Sequence, residues 1–429
     1  MAKKLMILGG NPETGVLVET AISMGIYTIV VDMTPNSPAK KHASESYDID
    51  VFKVNDVVQL AKDKNVDGVL VGVADVLVKP YWEICNKLNL PCYATEKAVE
   101  AFCSKDGYKR YCAKYDVQDI PGIYLTRDSE IRKPENVSLP LMVKPVDRGG
   151  GVGMKICRDE EDYVQTVRNG LKHSKKGVVL VEKYMDADCD DMAVYYTFKD
   201  GIPYLSATYD RYLTRLQGDS SPIAIGTVYP SKYTELFVKN VHPKLSEMFK
   251  GLNIETGVLN VQFFVENNVF YSYDPGFRLQ GEAPHIHLAH INDFDHRRML
   301  VNYALTGVFG NSDFSKKNDY MMGGHSACSV WVLLNSGKIE SIEGLTEMKS
   351  HKNVNFVVER FKEGDIVKDE WVGTERQVLF RIYTAADSIF GINETIEDIK
   401  NTLKVTDSNG DDMVIEWLKP WKTDDYIFS

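Results

Sequence analysis

The chain has 429 residues, of which 50 are basic and 61 acidic, so its formal net charge is −11. A hydrophobic content of 44% is ordinary for a globular protein, and this length allows two or three domains. The acidic balance argues against nucleic-acid binding, no apolar run is long enough to cross a membrane, and seven scattered cysteines without a C-x-x-C pair predict free thiols in a cytoplasmic protein.

The first 95 residues alternate short apolar runs with helical patterns. The runs KLMILGG, YTIVVDM and DGVLVGVAD predict strands, and helical patterns cover 14–24, 57–64 and 79–88. Strands that alternate with helices predict a parallel, Rossmann-like sheet. The short apolar run after the basic start is interpreted as its first strand and not as a signal peptide.

Two features of this region suggest ligand binding. The segment GGNPETG invites a dinucleotide interpretation, but its spacing is not G-x-G-x-x-G, which disfavours NAD binding. Glu13 and Asp75 follow predicted strands, and ligands of such sheets bind at the carboxyl ends of strands. Helix capping or a solvated loop explains each of these residues equally well.

A helical pattern over 95–114 carries Lys105 and Lys109, and a glycine-rich loop follows further along. In LMVKPVDRGGGVGMK, residues 141–155, an apolar run leads to Lys144 and then to a basic and glycine-rich group: Arg148, Gly149, Gly150, Gly151 and Gly153. Such a loop can place backbone N–H groups against phosphate oxygens, because glycine permits close approach and positive φ. A glycine-rich hairpin with a solvated lysine is the alternative. However, Lys144 lies inside an apolar run, where a lysine needs an anion to offset its burial.

Beyond this loop the pattern predicts further strands and helices. Residues 178–185, VVLVEKYM, form a short apolar run, and 193–198 with 202–208 predict a hairpin around Lys199-Asp200-Gly201. Helices are predicted at 235–251 and 294–305, and a polar linker at 312–319. The remainder, 321–429, is strand-rich, with Gly337, Gly344, Gly364 and Gly391 as turn points.

The segment LNVQFFVENNVFYSYDPGFRLQGE, residues 259–282, predicts two strands joined at Asn267-Asn268. Gln262 lies on the first strand and Asp274 at the end of the second, so that position 262 faces position 273 or 274. Two oxygen-bearing side chains that face each other suit Mg²⁺, which takes one or two protein ligands in addition to phosphate oxygens.

These segments, in this order, resemble the ATP-grasp superfamily. The hairpin is most like that of carbamoyl-phosphate synthetase, EKYM resembles the adenine hinge of biotin carboxylase, and SKD at 104–106 resembles its first ATP-binding lysine motif. The resemblance covers about residues 1–310, and the ordered set of motifs is more specific than any one motif. It implies a Rossmann-like preceding domain (1–95), an ATP-grasp domain (96–311) with a mobile lid (about 117–182), and a small strand-rich α+β C-terminal domain (320–429).

The resemblance also implies an activity and its cofactors. It predicts an ATP-dependent ligase that activates a carboxylate as an acyl phosphate and joins it to an amine, releasing ADP and phosphate. The implied cofactors are ATP and Mg²⁺, with Mn²⁺ as an alternative. The implied partners are a small-molecule carboxylate and amine, a homo-oligomer is compatible with the pattern, and neither nucleic acid nor membrane is expected.

The resemblance assigns roles to particular residues. Lys105 and Lys144 would neutralise phosphates beside Arg148 and the glycine loop. Asp191, with Asp190 as a close rival, would meet the ribose. Gln262 and Asp274 would bind metal, and Arg278 would contact the transferred phosphoryl group, with a structural salt bridge as its alternative role. The implied adenine hinge comprises Glu182, Lys183, Tyr184 and Met185, and the implied substrate pocket comprises Glu13, Asp75, Arg211, Glu282 and His285.

The chain departs from the family pattern at the metal hairpin. The usual pattern ends in Glu-x-Asn-x-Arg, whereas this chain has Asp274, Gly276 and Arg278. Aspartate is one methylene shorter than glutamate, and glycine has no side-chain ligand. The departure leaves open whether one or two metal ions bind. It also motivates the alternative function of a degenerate nucleotide-binding module without ligase activity.

Overall fold

The computed structural model describes residues 2–147, 153–185, 189–214, 223–310, 313–419 and 421–426, without the side chains of Lys105 and Thr423. Four residues of the predicted phosphate loop, Arg148, Gly149, Gly150 and Gly151, therefore lie outside the described residues, as does the side chain of Lys105. Gly153 lies within them, at a φ of 76°.

The first domain is a parallel sheet flanked by helices, as the alternating pattern predicts. Its strand order is β3-β2-β1-β4. The elements in chain order are β1 (Lys4–Leu8), α1 (Pro12–Ser23), β2 (Tyr27–Val31), β3 (Glu45–Tyr47), α2 (Val54–Lys64), β4 (Gly68–Val71) and α3 (Val78–Leu88). The sequence pattern missed β3 because this three-residue edge strand, ESY, has no apolar run.

The lid is an antiparallel sheet with the strand order β5-β8-β6-β7, covered on one face by a helix. Two short helices lead into it, because Ser104 ends the predicted continuous helix and its hydroxyl accepts a hydrogen bond from the Gly107 N–H. The elements are α4 (Glu96–Phe102), α5 (Lys105–Lys114), β5 (Gly122–Thr126), β6 (Leu141–Pro145), β7 (Lys155–Cys157), α6 (Glu160–His173) and β8 (Val178–Lys183). Movement of the lid stays a prediction.

The central sheet carries the predicted metal hairpin at one edge. Its strand order begins β13-β12-β9-β10-β11. The elements are β9 (Asp190–Lys199), β10 (Ile202–Thr214), β11 (Ile223–Tyr229), α7 (Thr234–Asn240), α8 (His242–Gly251), β12 (Gly257–Glu266), β13 (Val269–Gly276), α9 (Pro284–Ile291) and α10 (His296–Thr306). The helix predicted over 235–251 is divided at Val241, because Pro243 lacks the N–H that would continue it.

The C-terminal strands continue the same central sheet, because β14 pairs with β11 and is followed by β19 and β17. The elements are α11 (Phe314–Lys317), β14 (Ser326–Leu333), β15 (Gly337–Lys338), β16 (Ser341–Glu343), α12 (Leu345–Lys349), β17 (Val354–Glu359), β18 (Ile366–Val367), β19 (Val378–Ala386), α13 (Ile389–Thr402) and β20 (Lys404–Thr406). Gly391 is not a turn point as predicted. It lies in α13, and its N–H donates to the hydroxyl of the capping Ser388. Among the described helices, none combines the length and apolarity needed to cross a membrane.

Candidate active site

Two adjoining cavities lie where the domains meet. The larger, of about 500 Å³, is bounded by the first domain, α4, α5, the lid and β13. The smaller, of about 320 Å³, is bounded by the first domain, the hairpin of β12 and β13, the segment that follows this hairpin, Arg211 of β10 and Glu375. Asp75 and Asp274 line both cavities. A ligand in one cavity would therefore share two carboxylates with a ligand in the other.

The hairpin brings Gln262 and Asp274 together. Their Cα atoms are direct partners in the register of β12 and β13, which confirms the predicted pairing, and a bulge follows Gln262. The turn at Asn267 and Asn268 has φ values of 51° and 64°, the conformation of a tight hairpin. Gln262 is buried, Asp274 is exposed, and both line the smaller cavity. An amide oxygen and a carboxylate at this position fit the donor preference of Mg²⁺.

Lys144 has a protein carboxylate as its partner. Its Nζ forms an ion pair with Glu182, whose side chain is 4% exposed, and Nζ of Lys109 lies 3.8 Å from the same carboxylate. Lys144 lies opposite Leu180, and Glu182 lies opposite Met142, in the register of β6 and β8, so both charged residues project from one face of the lid sheet into the larger cavity. The sequence predicted that Lys144 needs an anionic partner, and phosphate was the only partner proposed for it. The structure adds the carboxylate of Glu182.

The other hinge residues are held by neighbouring segments. The backbone N–H of Lys183 donates to Pro121 O at 2.9 Å, and that of Tyr184 donates to Pro140 O at 3.1 Å. Nζ of Lys183 pairs with Glu266. The side chains of Tyr184 and Met185 are buried. The Lys183 N–H is therefore occupied, so contacts of the hinge with adenine stay a prediction.

Asp191 lies against Arg211, and its predicted contact with the ribose stays a prediction. Both carboxylate oxygens of Asp191 accept from Arg211 Nη1 at 2.9 Å, and the Tyr273 hydroxyl donates to Oδ2 at 2.9 Å. Burial raises the pKa of Asp191 to about 6 against the opposing charge of Arg211. The rival Asp190 is also engaged, by Lys232 at 2.9 Å.

Arg211 links Asp191 to Glu282 in the wall of the smaller cavity. Its Nε donates to Glu282 Oε1 at 2.7 Å. Oε2 of Glu282 is buried and has no hydrogen-bond partner within the described residues. A buried carboxylate oxygen without a donor is costly, so this atom is suited to accept a hydrogen bond from a ligand.

Arg278 is tied to the first domain. Its Nη2 forms an ion pair with Asp75, and its Nη1 donates to Leu279 O at 2.9 Å and to the Gln280 side chain. The Arg278 side chain is 11% exposed and lines the smaller cavity. A salt bridge is thus present, and contact with a phosphoryl group stays a prediction.

Glu13 is neither the helix cap nor part of a solvated loop. Asn11 caps α1, and Glu13 is buried against Arg360 and, at 3.1 Å, Arg381. Burial alone would raise the pKa of Glu13, but the two arginines hold it below its ordinary value. Glu13 lines the smaller cavity, but as part of an ion-pair cluster that joins the first domain to the C-terminal strands.

His285, predicted as part of the substrate pocket, lies deep in the protein. It is buried on α9 and lies outside the described linings of both cavities. Burial, aided by the charge of Arg297, lowers the pKa of His285 well below its ordinary value. Its place in the substrate pocket stays a prediction.

Arg381 was missed by the sequence analysis. It is 1% exposed, stacks on Trp331 at 4.1 Å, pairs with Glu375 at 3.0 Å and donates to the Gly281 carbonyl. The signal that could have found it is the one used for Lys144, a cation inside an apolar strand, here VLFRIYTAA. Arg360 carried no comparable signal.

Parts of the chain are similar in sequence to known proteins. Residues 105–189 match the family described as carbamoyl-phosphate synthase L chain, ATP binding domain. Formate-dependent phosphoribosylglycinamide formyltransferase of Francisella tularensis (strain WY96-3418) is 29% identical over 213 residues, which cover 47% of this chain and 53% of that protein. The chain thus aligns with about half the length of the curated relatives that it matches first.

Solved structures show the same fold over a longer stretch. Phosphoribosylglycinamide synthetase from Anaerococcus prevotii has a TM-score of 0.76 at 17% identity, with coverage of 95% of this chain and 100% of that one. The biotin carboxylase domain of Hydrogenobacter thermophilus 2-oxoglutarate carboxylase, solved with MgADP and bicarbonate, has a TM-score of 0.75 at 15% identity, with coverage of 95% and 91%. At such identities the likeness establishes the fold alone.

Proposed function

Because the chain has the ATP-grasp fold, we propose that it is an ATP-dependent ligase that activates a carboxylate as an acyl phosphate and joins it to an amine. The observation that carries this proposal is the pairing of Gln262 with Asp274 at the boundary between the two cavities. The larger cavity can hold the nucleotide and the smaller one can hold the acid and amine. Asp274, which lines both, lies where a phosphoryl group would pass from one to the other.

The nucleotide site would use the residues of the larger cavity. The Nζ of Lys144 and of Lys109 would neutralise phosphate oxygens, while Glu182 keeps both cations in place. Gln262 and Asp274 would hold Mg²⁺, or Mn²⁺ as an alternative, which when bound supplies charge neutralisation at the phosphate oxygens. Catalysis of phosphoryl transfer is largely positioning and electrostatic stabilisation, which these groups provide.

The reaction would proceed in two displacements. A carboxylate oxygen of the acid attacks the γ-phosphorus, and the bond to ADP breaks. The amine nitrogen then attacks the acyl carbon, phosphate leaves with the bonding electron pair, and the departing phosphate takes up the proton that the nitrogen loses. Arg278 would stabilise the acyl phosphate, since a planar guanidinium matches its oxygens. Oε2 of Glu282 would accept a hydrogen bond from the amine and orient its lone pair toward the acyl carbon.

The alternative, a nucleotide-binding module without ligase activity, rests on the substitutions at Asp274 and Gly276. Three features favour the ligase instead. Arg278 and Gln262 line one cavity with Asp274, Lys144 lines the other, and the matching proteins are named as enzymes. The two functions differ in one observable, which is formation of ADP that depends on a carboxylate.

Hydroxylamine trapping tests the proposal. Purified protein is incubated with ATP, Mg²⁺, hydroxylamine and a panel of carboxylic acids, and ADP and hydroxamate are measured. A ligase forms both in equal amounts with at least one acid, because hydroxylamine intercepts the acyl phosphate. At a limiting Mg²⁺ concentration Asp274→Asn should lower this activity, and Lys172→Ala, an exposed control on α6, should keep it. ATP binding without carboxylate-dependent ADP would establish the module instead.

A further inference from the structure

Gly276 is the position where this chain lacks the oxygen ligand of the family pattern, and a side chain from another domain fills the space. A Cβ added to Gly276 would lie 2.8 Å from Asp75 Oδ1 and 3.4 Å from the guanidinium carbon of Arg278. A contact of 2.8 Å is far shorter than a normal carbon–oxygen separation. The Asp75 carboxylate of the first domain therefore stands where a residue-276 side chain would start.

Asp75 is placed to contact ligands of both cavities. It lines both of them together with Asp274, and its side chain remains 47% exposed. Its Oδ2 accepts from Arg278 Nη2, whereas Oδ1 is the oxygen directed at Gly276. The pair with Arg278 fixes the orientation of the carboxylate and leaves the second oxygen for another contact.

Acidic side chains outnumber basic ones in the lining of the smaller cavity, where Arg211 and Arg278 face the acidic residues Glu13, Asp75, Asp274, Glu282 and Glu375. Glu282 lines it, is 4% exposed, and keeps Oε2 buried without a partner among the described residues. Gln262, which is 8% exposed, contributes an amide oxygen to the same cavity. Carboxylate and amide oxygens are the ligands that a hard divalent cation prefers.

We propose that Asp75 is a metal ligand supplied by the first domain, and that it replaces the side-chain oxygen lost at Gly276. The cation would then be held by Gln262 and Asp274 of the hairpin and by Asp75 across the domain boundary. This inference rests on the proposed ATP-dependent function. It explains why the hairpin tolerates glycine at position 276, and it makes binding of the metal–nucleotide depend on the position of the first domain.

Metal binding is measured directly by counting unbound Mn²⁺ by electron paramagnetic resonance in the presence of a non-hydrolysable ATP analogue. Asp75→Asn should raise the Mn²⁺ concentration for half-saturation by about 10-fold or more, in line with the loss of one oxygen contact. Asp56→Asn, an exposed acid in the same domain outside both cavities, should leave it unchanged. Circular dichroism checks that each variant is folded.

A rescue experiment separates ligation from orientation of Arg278. Asp75→Ala removes the carboxylate and opens space at position 276. Adding Gly276→Asn to it supplies an amide oxygen and should restore Mn²⁺ binding to within a few-fold of the wild type. Adding Gly276→Ala supplies a Cβ without an oxygen and should restore nothing.

Two results would overturn the inference. If the wild type binds Mn²⁺ with the analogue and Asp75→Asn binds it equally well, Asp75 is no ligand, while the proposed ligase function stands. If the wild type binds no Mn²⁺ with the analogue, both the inference and the proposed function fall.

Discussion

Lys144 has a structural role and a proposed catalytic role. A single substitution at Lys144 removes both, whereas a second substitution at its partner restores the structural one. Its ammonium group neutralises the buried carboxylate of Glu182 and is proposed to meet the nucleotide phosphates. Lys144→Met keeps the apolar stem and removes the charge. We expect it to destabilise the lid and to abolish turnover, whereas Lys144→Met/Glu182→Gln should recover stability and remain without turnover.

The structure sets the size of the stability loss. Removal of one partner of a buried ion pair costs about 3–5 kcal/mol, because the other charge is left without compensation. Glu182 is 4% exposed, so this range applies, but Nζ of Lys109 at 3.8 Å retains part of the neutralisation. We therefore expect a loss of stability at or just below the lower end of this range, about 2–3 kcal/mol. The double variant should lie within about 1 kcal/mol of the wild type, since a neutral amide leaves no uncompensated charge.

The stability of the lid is measured by hydrogen exchange of its backbone amides during urea unfolding. The turnover is measured as ATP-dependent release of phosphate. Lys144→Arg is the matched control, because it keeps the charge and should keep most of the stability. A Lys144→Met variant as stable as the wild type would refute the role of Glu182. Wild-type turnover in the double variant would refute the role of Lys144 at the phosphates.

Three further predictions concern Arg278, Asp274 and Asp210, which is a buried carboxylate on β10 that accepts hydrogen bonds from Ser231 and Tyr426. Arg278→Ala should lower kcat by about 10²-fold or more while the Kd for ATP changes little, because the guanidinium acts mainly on the acyl phosphate. A loss of affinity for ATP as large as the loss in kcat would contradict this role. Asp274→Asn should raise the Mg²⁺ concentration for half-maximal rate, and Asp274→Glu should retain activity, as a magnesium titration of phosphate release would show. Burial raises the pKa of Asp210 to about 6 in the folded state, above its unfolded value, so its contribution to stability is complete below pH 4 and lost as the pH rises through about 6. The free energy of unfolding of the wild type, relative to that of Asp210→Asn, should fall by about 3 kcal/mol between pH 4 and pH 7 in urea titrations. A difference between the two proteins that does not change with pH would contradict the raised pKa of Asp210.

Local patterns were sufficient for most of the elements near the site. The parallel strands of the first domain followed from apolar runs, and the facing of Gln262 and Asp274 followed from the turn at Asn267-Asn268. Both depend on periodicity and turn chemistry, which act over a few residues. The same reasoning missed β3 and placed Gly391 in a turn, since a short edge strand and a glycine inside a packed helix are decided by their neighbours.

Partners of the charged residues could not be read from the sequence. Lys144 was predicted to need an anion, but Glu182 lies 38 residues away in the chain and reaches it only through the pairing of β6 with β8. Glu13, near the start of the chain, forms an ion pair with Arg381 in its C-terminal part. Such contacts depend on how the domains pack, which no local pattern encodes.

The sequence by itself therefore determined the types of residue that the site requires and the strands that carry them. The tertiary structure decided which charges meet: it placed Asp191 against Arg211, and it brought Asp75 into the space beside Gly276. The physical reason is that hydrogen-bonding patterns are local along the chain, whereas the neutralisation of a buried charge depends on whichever oppositely charged group the fold delivers to it.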